Sequence, residues 1–154
     1  MHTNTIETAT TTVDSPKGTP AGLDRGLLMA GAKATGLGVV AVMATYLVAV
    51  GVGQGLLVAG PDGTAMEVTS GSIFGMTVLG GTIAVVLARA FGRWSSRPRL
   101  TFLATTVVGV LAYAAVPFAA AETVASALWL NGMHLAVAIP VLTILARHLP
   151  RDRS

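Results

Sequence analysis

The sequence contains no cysteine. This absence excludes disulfide bonds, thiolate zinc sites, iron–sulfur clusters and covalent attachment of haem through a cysteine pair. Charge is also scarce, because 11% of the residues are Asp, Glu, Lys or Arg, whereas a soluble domain carries about a quarter. So few charges cannot cover a surface that faces water. With 53% hydrophobic residues and a mean hydropathy of +0.71, the composition predicts an integral membrane protein.

The distribution of charge predicts a topology. Four apolar segments run through the chain, and basic residues flank them on one side only: Arg25 and Lys33 before the first, Arg89, Arg93, Arg97 and Arg99 between the second and third, and Arg147, Arg151 and Arg153 after the fourth. The two opposite loops carry Asp62, Glu67 and Glu122. Because cytoplasmic loops are enriched in Lys and Arg, we predict a multi-pass protein of the cytoplasmic (inner) membrane with both termini in the cytoplasm.

The excess of basic residues also bears on the partner. A net charge of +3 and a pI near 10.0 do not indicate nucleic-acid binding here, since the basic residues are dispersed at segment ends without interleaved aromatic side chains. The expected partner is the lipid bilayer with its anionic headgroups. We assign the headgroup contacts to the basic residues of the second connection, Arg89, Arg93, Arg97 and Arg99.

Three regions follow from composition. Residues 1–24 are rich in Thr and poor in large apolar side chains. This composition predicts a disordered cytoplasmic tail. Residues 25–149 predict one transmembrane domain with spans near 34–53, 72–90, 100–120 and 123–146, each close to the length of about 20 apolar residues that a spanning helix needs. Residues 150–154 form a cytoplasmic C-terminal tail. A cleaved signal peptide is the alternative for the first span, but the apolar run exceeds a signal core and the preceding tail is long, which favours retention.

Short connections between the spans make successive helices antiparallel neighbours. The predicted fold is therefore an all-α membrane protein, an antiparallel four-helix transmembrane bundle. The sequence Gly60-Pro61-Asp62-Gly63 lies between two short apolar runs, and Pro, Asp and Gly each favour a turn for a separate physical reason. We predict a short external loop or hairpin there.

His134 is the main candidate for chemistry, and Asn131 lies one helical turn before it on the same face. Ionisable residues at this depth are costly and usually face the bundle interior. One interpretation is a proton relay, a ligand contact or an axial metal ligand. The other, which we favour, is a neutral imidazole bonded to a neighbouring helix, for example at Thr105, Thr106 or Tyr113.

The remaining candidates are weaker. Glu122 stands at the start of the fourth span, either as an external gate or cation contact or, as we favour, as a solvated carboxylate that complements the helix dipole. His148 lies about 21 Å from His134 on a continuous helix, so the two cannot share a metal ion. A zinc site lacks further ligands at a usable spacing. We expect no metal site, no cofactor and no catalytic residue.

Two sequence segments and the Arg-rich connection between them resemble a family. The segments are Glu67-Val-Thr-Ser-Gly-Ser-Ile and Leu130-Asn-Gly-Met-His-Leu-Ala-Val-Ala-Ile-Pro, and the family is a group of small four-helix bacterial membrane proteins, domain of unknown function 6069. Its members typically show Met-His-Leu followed by small apolar residues and Ile-Pro, as residues 133–140 do here. The resemblance covers residues 30–149 and implies a four-span topology and a recurring intramembrane His. It implies no reaction, and Asn131 departs from the family pattern, so no role is carried over to it.

The predicted function is that of a multi-pass, non-enzymatic membrane protein, a structural, accessory or interaction subunit, because few polar groups converge in the bundle. Its partner beyond the bilayer is either a homo-oligomer or an unknown membrane protein. Two alternatives stay open: a small transport or proton-relay component that uses His134 with Asn131, and a haem-binding redox subunit in which His134 is the ligand.

Overall fold

The computed structural model describes residues 21–60 and 63–151. Its elements, in chain order, are α1 (Ala21–Gly51), β1 (Leu57–Ala59), β2 (Ala65–Glu67), α2 (Ser70–Trp94), α3 (Pro98–Tyr113), α4 (Val116–Ala120) and α5 (Val124–His148). Of the tails predicted for residues 1–24 and 150–154, residues 1–20 and 152–154 lie outside the described residues.

The predicted four-helix membrane fold is confirmed. Four helical segments are long and apolar enough to cross a membrane: Arg25–Gly51, Ser70–Trp94, Pro98–Ala120 and Val124–His148. Helices that follow one another in the chain pack side by side, and the most extensive contact joins α1 to α5, which closes the bundle. Large apolar side chains cover its outside, among them Val40, Leu79 and Leu111. Lipid solvates such a surface and water does not, so the chain is a multi-pass membrane protein.

The two ends of the bundle differ in chemistry. One end carries Arg25, Arg89, Arg93, Arg97, Arg99 and Arg147, and is called the basic end. The other carries the β1–β2 hairpin and is called the hairpin end. Every spanning helix extends beyond its predicted apolar span at the basic end. The reason is that Arg and Lys side chains can lie along apolar surface while their charges reach water, so helix continues where hydropathy has already fallen.

Helix α1 also includes residues 21–24, which the sequence had assigned to the tail. Ala21 and Leu23 favour helix, and the long apolar run after them supplies the length that a stable helix needs. With 31 residues, α1 is about 46 Å long, and it therefore reaches beyond a hydrocarbon layer of about 30 Å.

At the hairpin end, α1 stops in a glycine-dependent turn. The N–H of Gln54 donates to the C=O of Ala49 at 3.0 Å, and the N–H of Gly53 donates to Val50 at 2.9 Å. Gly53 has a φ of 76°, which a residue without Cβ adopts at no steric cost. This pair of bonds is the Schellman arrangement that satisfies the last carbonyls of a helix.

The chain then forms the hairpin. Strands β1 and β2 are antiparallel, with Leu57 opposite Glu67 and Ala59 opposite Ala65. A further bridge joins Val58 to Ala121, just before α5. An isolated two-stranded element is marginally stable, and this bridge attaches the hairpin to the bundle.

Helices α1 and α2 approach closely where glycine replaces a side chain. A Cβ built on Gly81 would collide with Thr35 of α1, and one on Gly31 would collide with Val85 of α2. Glycines thus receive the side chains of the facing helix, as small residues do between membrane helices. The pairs with small-xxx-small spacing in the sequence are Gly51/Gly55 and Gly71/Gly75. In the described chain, no facing helix lies within 4 Å of their Cβ positions: Gly71 has only Thr69 there, and the other three have nothing.

Two adjacent glycines make this packing testable. Gly81→Ala is expected to destabilise the bundle by about 1–3 kcal/mol, because the new methyl group must displace Thr35. Gly80→Ala is the matched control: nothing lies within 4 Å of its Cβ position, and alanine favours helix over glycine by about 0.5–1 kcal/mol. Unfolding by SDS titration in mixed micelles measures both. Equal shifts for the two variants would contradict this packing.

Candidate functional site

Most polar side chains within the spans bond to their own helix. Threonine hydroxyls donate to the carbonyl four residues earlier, in the pairs Thr45–Ala41, Thr77–Ile73, Thr82–Val78, Thr106–Phe102 and Thr143–Ile139, at 2.7–2.9 Å. Such bonds satisfy a hydroxyl locally where no water is present. Within the described residues, none of these hydroxyls donates to another helix, and Thr106 is not bonded to His134, whose side chain bonds the C=O of Leu130 in its own helix.

The third span is broken near the hairpin end. Helix α3 ends at Tyr113 and α4 begins at Val116, with Pro117 in the first turn of α4. Proline has no N–H and cannot continue the ladder of helix bonds back to Tyr113. Carbonyl groups at such a break need another donor in the membrane.

Asn131 supplies that donor. Its side-chain amide nitrogen donates to the C=O of Ala114, at the break, at 3.2 Å, and to the C=O of Ala127, in its own helix, at 3.1 Å. Asn131 therefore joins α5 to the interrupted third span. The sequence singled out this residue, but as a companion of His134 in a relay or ligand site; the signal for its observed contact was Pro117.

His134 lies on the outer surface of the bundle. Its side chain is exposed, which differs from the expectation that it faces the interior. The reason is that its neighbour Met133 occupies the interior position and is 4% exposed. Val137 of the same helix packs against Gly38 of α1, with its Cγ1 atom 3.3 Å from the place that a Cβ on Gly38 would occupy. These contacts fix the rotation of α5 and turn His134 towards α3.

The imidazole of His134 has two different nitrogen environments. Nδ1 lies 2.7 Å from the C=O of Leu130, one turn earlier in α5. Because a carbonyl only accepts, Nδ1 carries the proton in this bond, and in the neutral ring Nε2 is an acceptor. Within residues 21–60 and 63–151, no side chain or backbone group bonds Nε2.

Tyr113 completes the site. Its ring lies 4.8 Å from the imidazole, centroid to centroid, and tilted by 58°. Tyr113 is the last residue of α3 and is 46% exposed. Its hydroxyl donates to no group in the described part of the chain. We call this pair, on the seam between α3 and α5, the His134–Tyr113 seam.

The third span has the least internal packing of the four. In its most apolar window, 11% of the residues are buried, compared with 22–28% in the other spans. Only Pro98 and Phe102 are buried in α3, and both lie near the basic end. Towards Tyr113 the helix is covered by little of its own protein, and the His134–Tyr113 seam opens sideways into the surroundings of the bundle.

The other predicted residues lie away from this seam. Glu122 is exposed at the hairpin end, one residue before Thr123, which caps α5; it is about 18 Å from His134 along the helix axis. Arg89, Arg93 and Arg97 are exposed and Arg99 is half-buried, all at the basic end. The headgroup contacts of these arginines stay a prediction.

The hairpin end holds a polar cluster that sequence reasoning missed. Ser126, which is 1% exposed, donates to the C=O of Gly55 at 3.1 Å and accepts from Thr123 at 2.9 Å and from Gln54 at 3.5 Å. A shallow pocket of about 240 Å³ beside it includes Tyr46 and Glu67. The signal in the sequence is weak, because one Gln and one Ser far apart in the chain do not indicate a contact. The cluster fastens the end of α1 to the start of α5.

One comparison with known proteins identifies a family. Residues 23–151 match the profile of a family of unknown function, DUF6069. The chain belongs to DUF6069. No curated protein and no solved structure shows significant similarity to it. The family assignment agrees with the resemblance found in the sequence and adds no activity.

In this DUF6069 protein the groups that the site presents can form hydrogen bonds. Among the described residues, no three His, Asp or Glu side chains come together as a metal site. What the site presents outward is one acceptor, Nε2 of His134, and one donor, the hydroxyl of Tyr113. His134 lies near the middle of its span, about 15 Å from the start of α5 and about 21 Å from its end, and Tyr113 lies beside it.

The role assigned to Asn131 predicts a non-additive pair of substitutions. Asn131→Leu is expected to destabilise the bundle by about 1–2 kcal/mol, because it leaves the carbonyl of Ala114 without its side-chain donor. Pro117→Ala restores the N–H that faces the carbonyl of Tyr113 and allows the helix to close, so that the N–H of Phe118 can reach the carbonyl of Ala114. In the Pro117→Ala background, Asn131→Leu should lower the free energy of unfolding by clearly less. SDS titration of the wild type, the two single variants and the double variant measures the coupling between the two positions.

Thr82→Val serves as the control, because its hydroxyl bonds only within α2. An equal loss of stability for Asn131→Leu with and without Pro117 would contradict the assigned role.

Proposed function

We propose that this DUF6069 protein is a non-enzymatic interaction subunit of the cytoplasmic membrane. Its four spans act as a scaffold that presents the His134–Tyr113 seam to another membrane protein. The protein performs no covalent chemistry in this proposal. Its contribution is a specific lateral contact within the bilayer.

The observation that carries the proposal is the exposed imidazole of His134 near the middle of a span. Hydrocarbon offers no hydrogen bonds, and polar groups at this depth almost always contact protein or line a water-filled cavity. A single copy of the bundle leaves Nε2 facing outward. A protein partner that reaches this depth supplies the missing bond.

The orientation in the membrane is part of the proposal. The basic end carries the arginines around the connection from α2 to α3, with Arg25 of α1 and Arg147 of α5, whereas the hairpin end carries Glu67 and Glu122. By the excess of Lys and Arg in cytoplasmic loops, we place the basic end and both termini in the cytoplasm and the hairpin outside. Arg89, Arg93, Arg97 and Arg99 then lie at the level of anionic headgroups.

Labelling of single cysteines tests this orientation cleanly, because the chain has no cysteine of its own. Met66→Cys on the hairpin should react with a membrane-impermeant maleimide in intact spheroplasts. Arg151→Cys at the basic end should react only after the membrane is permeabilised. The reverse pattern, or equal labelling of both before permeabilisation, would contradict the proposed orientation.

Site-specific photo-crosslinking tests the interaction itself. A benzophenone amino acid at Leu135, which is 49% exposed beside His134, should give a discrete protein adduct in native membranes. The matched control is position Leu79 on α2, which is 53% exposed and also lies within a span. Because the contact depends on Nε2, His134→Leu should weaken the adduct at position 135. Adducts of equal yield at positions 135 and 79, or no adduct at position 135, would contradict the proposal.

A haem-binding redox subunit is the second candidate. Supporting it, a metal-bound imidazole commonly donates its other ring N–H to a backbone carbonyl, as Nδ1 of His134 does to Leu130. The test is the absorption spectrum of protein purified after haem-replete expression. A Soret band that disappears in His134→Ala favours this candidate, and its absence removes it.

A proton relay has less support, because the amide nitrogen of Asn131 is already engaged with two carbonyls. The measurement is proton leak in proteoliposomes that contain a pH-sensitive dye. Equal leak for wild type and His134→Ala would discard the relay.

A further inference from the structure

We propose that the partner at the His134–Tyr113 seam is a second copy of this chain, held about a two-fold axis along the membrane normal. The inference deepens the proposed function and rests on it. In the dimer, the hydroxyl of Tyr113 in each copy donates to Nε2 of His134 in the other. Two equivalent bonds then close the seam.

The two exposed groups of one chain are complementary to each other. The bond from Nδ1 of His134 to Leu130 leaves Nε2 as an acceptor. The adjacent Tyr113 presents a hydroxyl that can donate. Each copy thus offers one donor and one acceptor side by side, 4.8 Å apart between ring centroids. A surface with both halves of the same bond is complementary to itself, which is what a two-fold interface requires.

Tyr113 and His134 also lie at a similar depth in the membrane. All copies of a membrane protein insert with the same orientation, so a two-fold axis between them runs along the membrane normal and brings together groups at equal depth. The ring centroids of Tyr113 and His134 are 4.8 Å apart, so the two rings differ in depth by no more than that distance. Rotation by half a turn keeps every group at its own depth, and it therefore places Tyr113 of one copy opposite His134 of the other, and the reverse, within that offset.

The surface of α3 beside the seam is open to a second bundle. Gly109 lies one turn before Tyr113 in α3, is exposed, and has nothing within 4 Å of its Cβ position. Val108 and Leu111 beside it are 65% and 68% exposed. A second bundle can thus approach α3 closely at this level, as small residues permit between membrane helices. The loose packing of the third span leaves this side of the molecule uncovered.

A mixed cross-link tests the geometry directly. Copies with Tyr113→Cys and one epitope tag are co-expressed with copies that carry His134→Cys and a second tag. Each mixed dimer keeps one intact Tyr113–His134 bond and replaces the other by two cysteines. Because Tyr and His are longer than two cysteines, the thiols are too far apart for a disulfide, and a membrane-permeant bis-methanethiosulfonate reagent that bridges the gap should join the two tags in a product of about twice the monomer mass.

The control uses positions on other faces at similar depth. Val40→Cys and Leu79→Cys are 68% and 53% exposed in the wild type, and the mixed pair should give only the low yield of random collision. If Tyr113→Cys with His134→Cys gives no more product than this control, the two-fold arrangement is overturned.

A second measurement does not depend on cysteine. Energy transfer between labelled copies in large liposomes, followed over a range of protein-to-lipid ratios, should report a dimer for the wild type. Tyr113→Phe keeps the ring but removes both donors of the dimer, so the dissociation constant should rise roughly sevenfold. Tyr46→Phe, which lies at the hairpin-end pocket, should leave it unchanged. A wild type that stays monomeric, or equal dimerisation of all three proteins, would overturn the inference.

The outcomes separate this inference from the proposed function. If the photo-adduct at position 135 contains a different protein and no doubled chain, the second copy is wrong and the interaction subunit stands. If no protein adduct forms at position 135, both fail. A doubled chain whose yield falls in Tyr113→Phe supports both.

Discussion

Hydrocarbon offers no hydrogen bonds, and this constraint governs where polar groups lie in the bundle. Threonines in the spans return their hydroxyls to their own helices, as Thr77 and Thr143 do. Where Pro117 interrupts the third span, Asn131 reaches across from α5 to the carbonyl of Ala114. Each arrangement avoids a polar group that faces lipid without a partner, which would be unfavourable by several kcal/mol. The bond from Asn131 also joins α5 to the third span, so this requirement contributes to holding the bundle together.

The same constraint explains why we propose the His134–Tyr113 seam as a contact site. His134 satisfies Nδ1 at Leu130, while Nε2 and the hydroxyl of Tyr113 face the surroundings of the bundle. Two complementary groups at one depth, on the least packed span, are what a contact within the bilayer needs. In our proposals this seam is where the protein meets its partner, and the rest of the bundle holds the two rings in place.

Much of the fold could be predicted from the sequence, because apolar length alone indicates spans and Gly60-Pro61-Asp62-Gly63 indicates a hairpin. The direction of His134 could not. A helix that is apolar on every side carries no signal for which face is inside, so the rotation of α5 depends on contacts such as Val137 with Gly38. The glycines that matter for packing were equally hidden, because Gly81 and Gly80 differ only in what faces them. Pro117 was the one visible signal for the break that Asn131 closes.

The central claim is that Nε2 of His134 is an outward-facing acceptor, and the protonation of His134 in lipid tests it most directly. With His2 and His148 replaced by Gln, His134 is the sole imidazole, and solid-state ¹⁵N NMR in bilayers distinguishes its two nitrogens. The account predicts a proton on Nδ1, bonded to the carbonyl of Leu130, and an unprotonated Nε2 that accepts a hydrogen bond. A neutral ring with its proton on Nε2 would contradict it, because the imidazole would then not be held by its own helix.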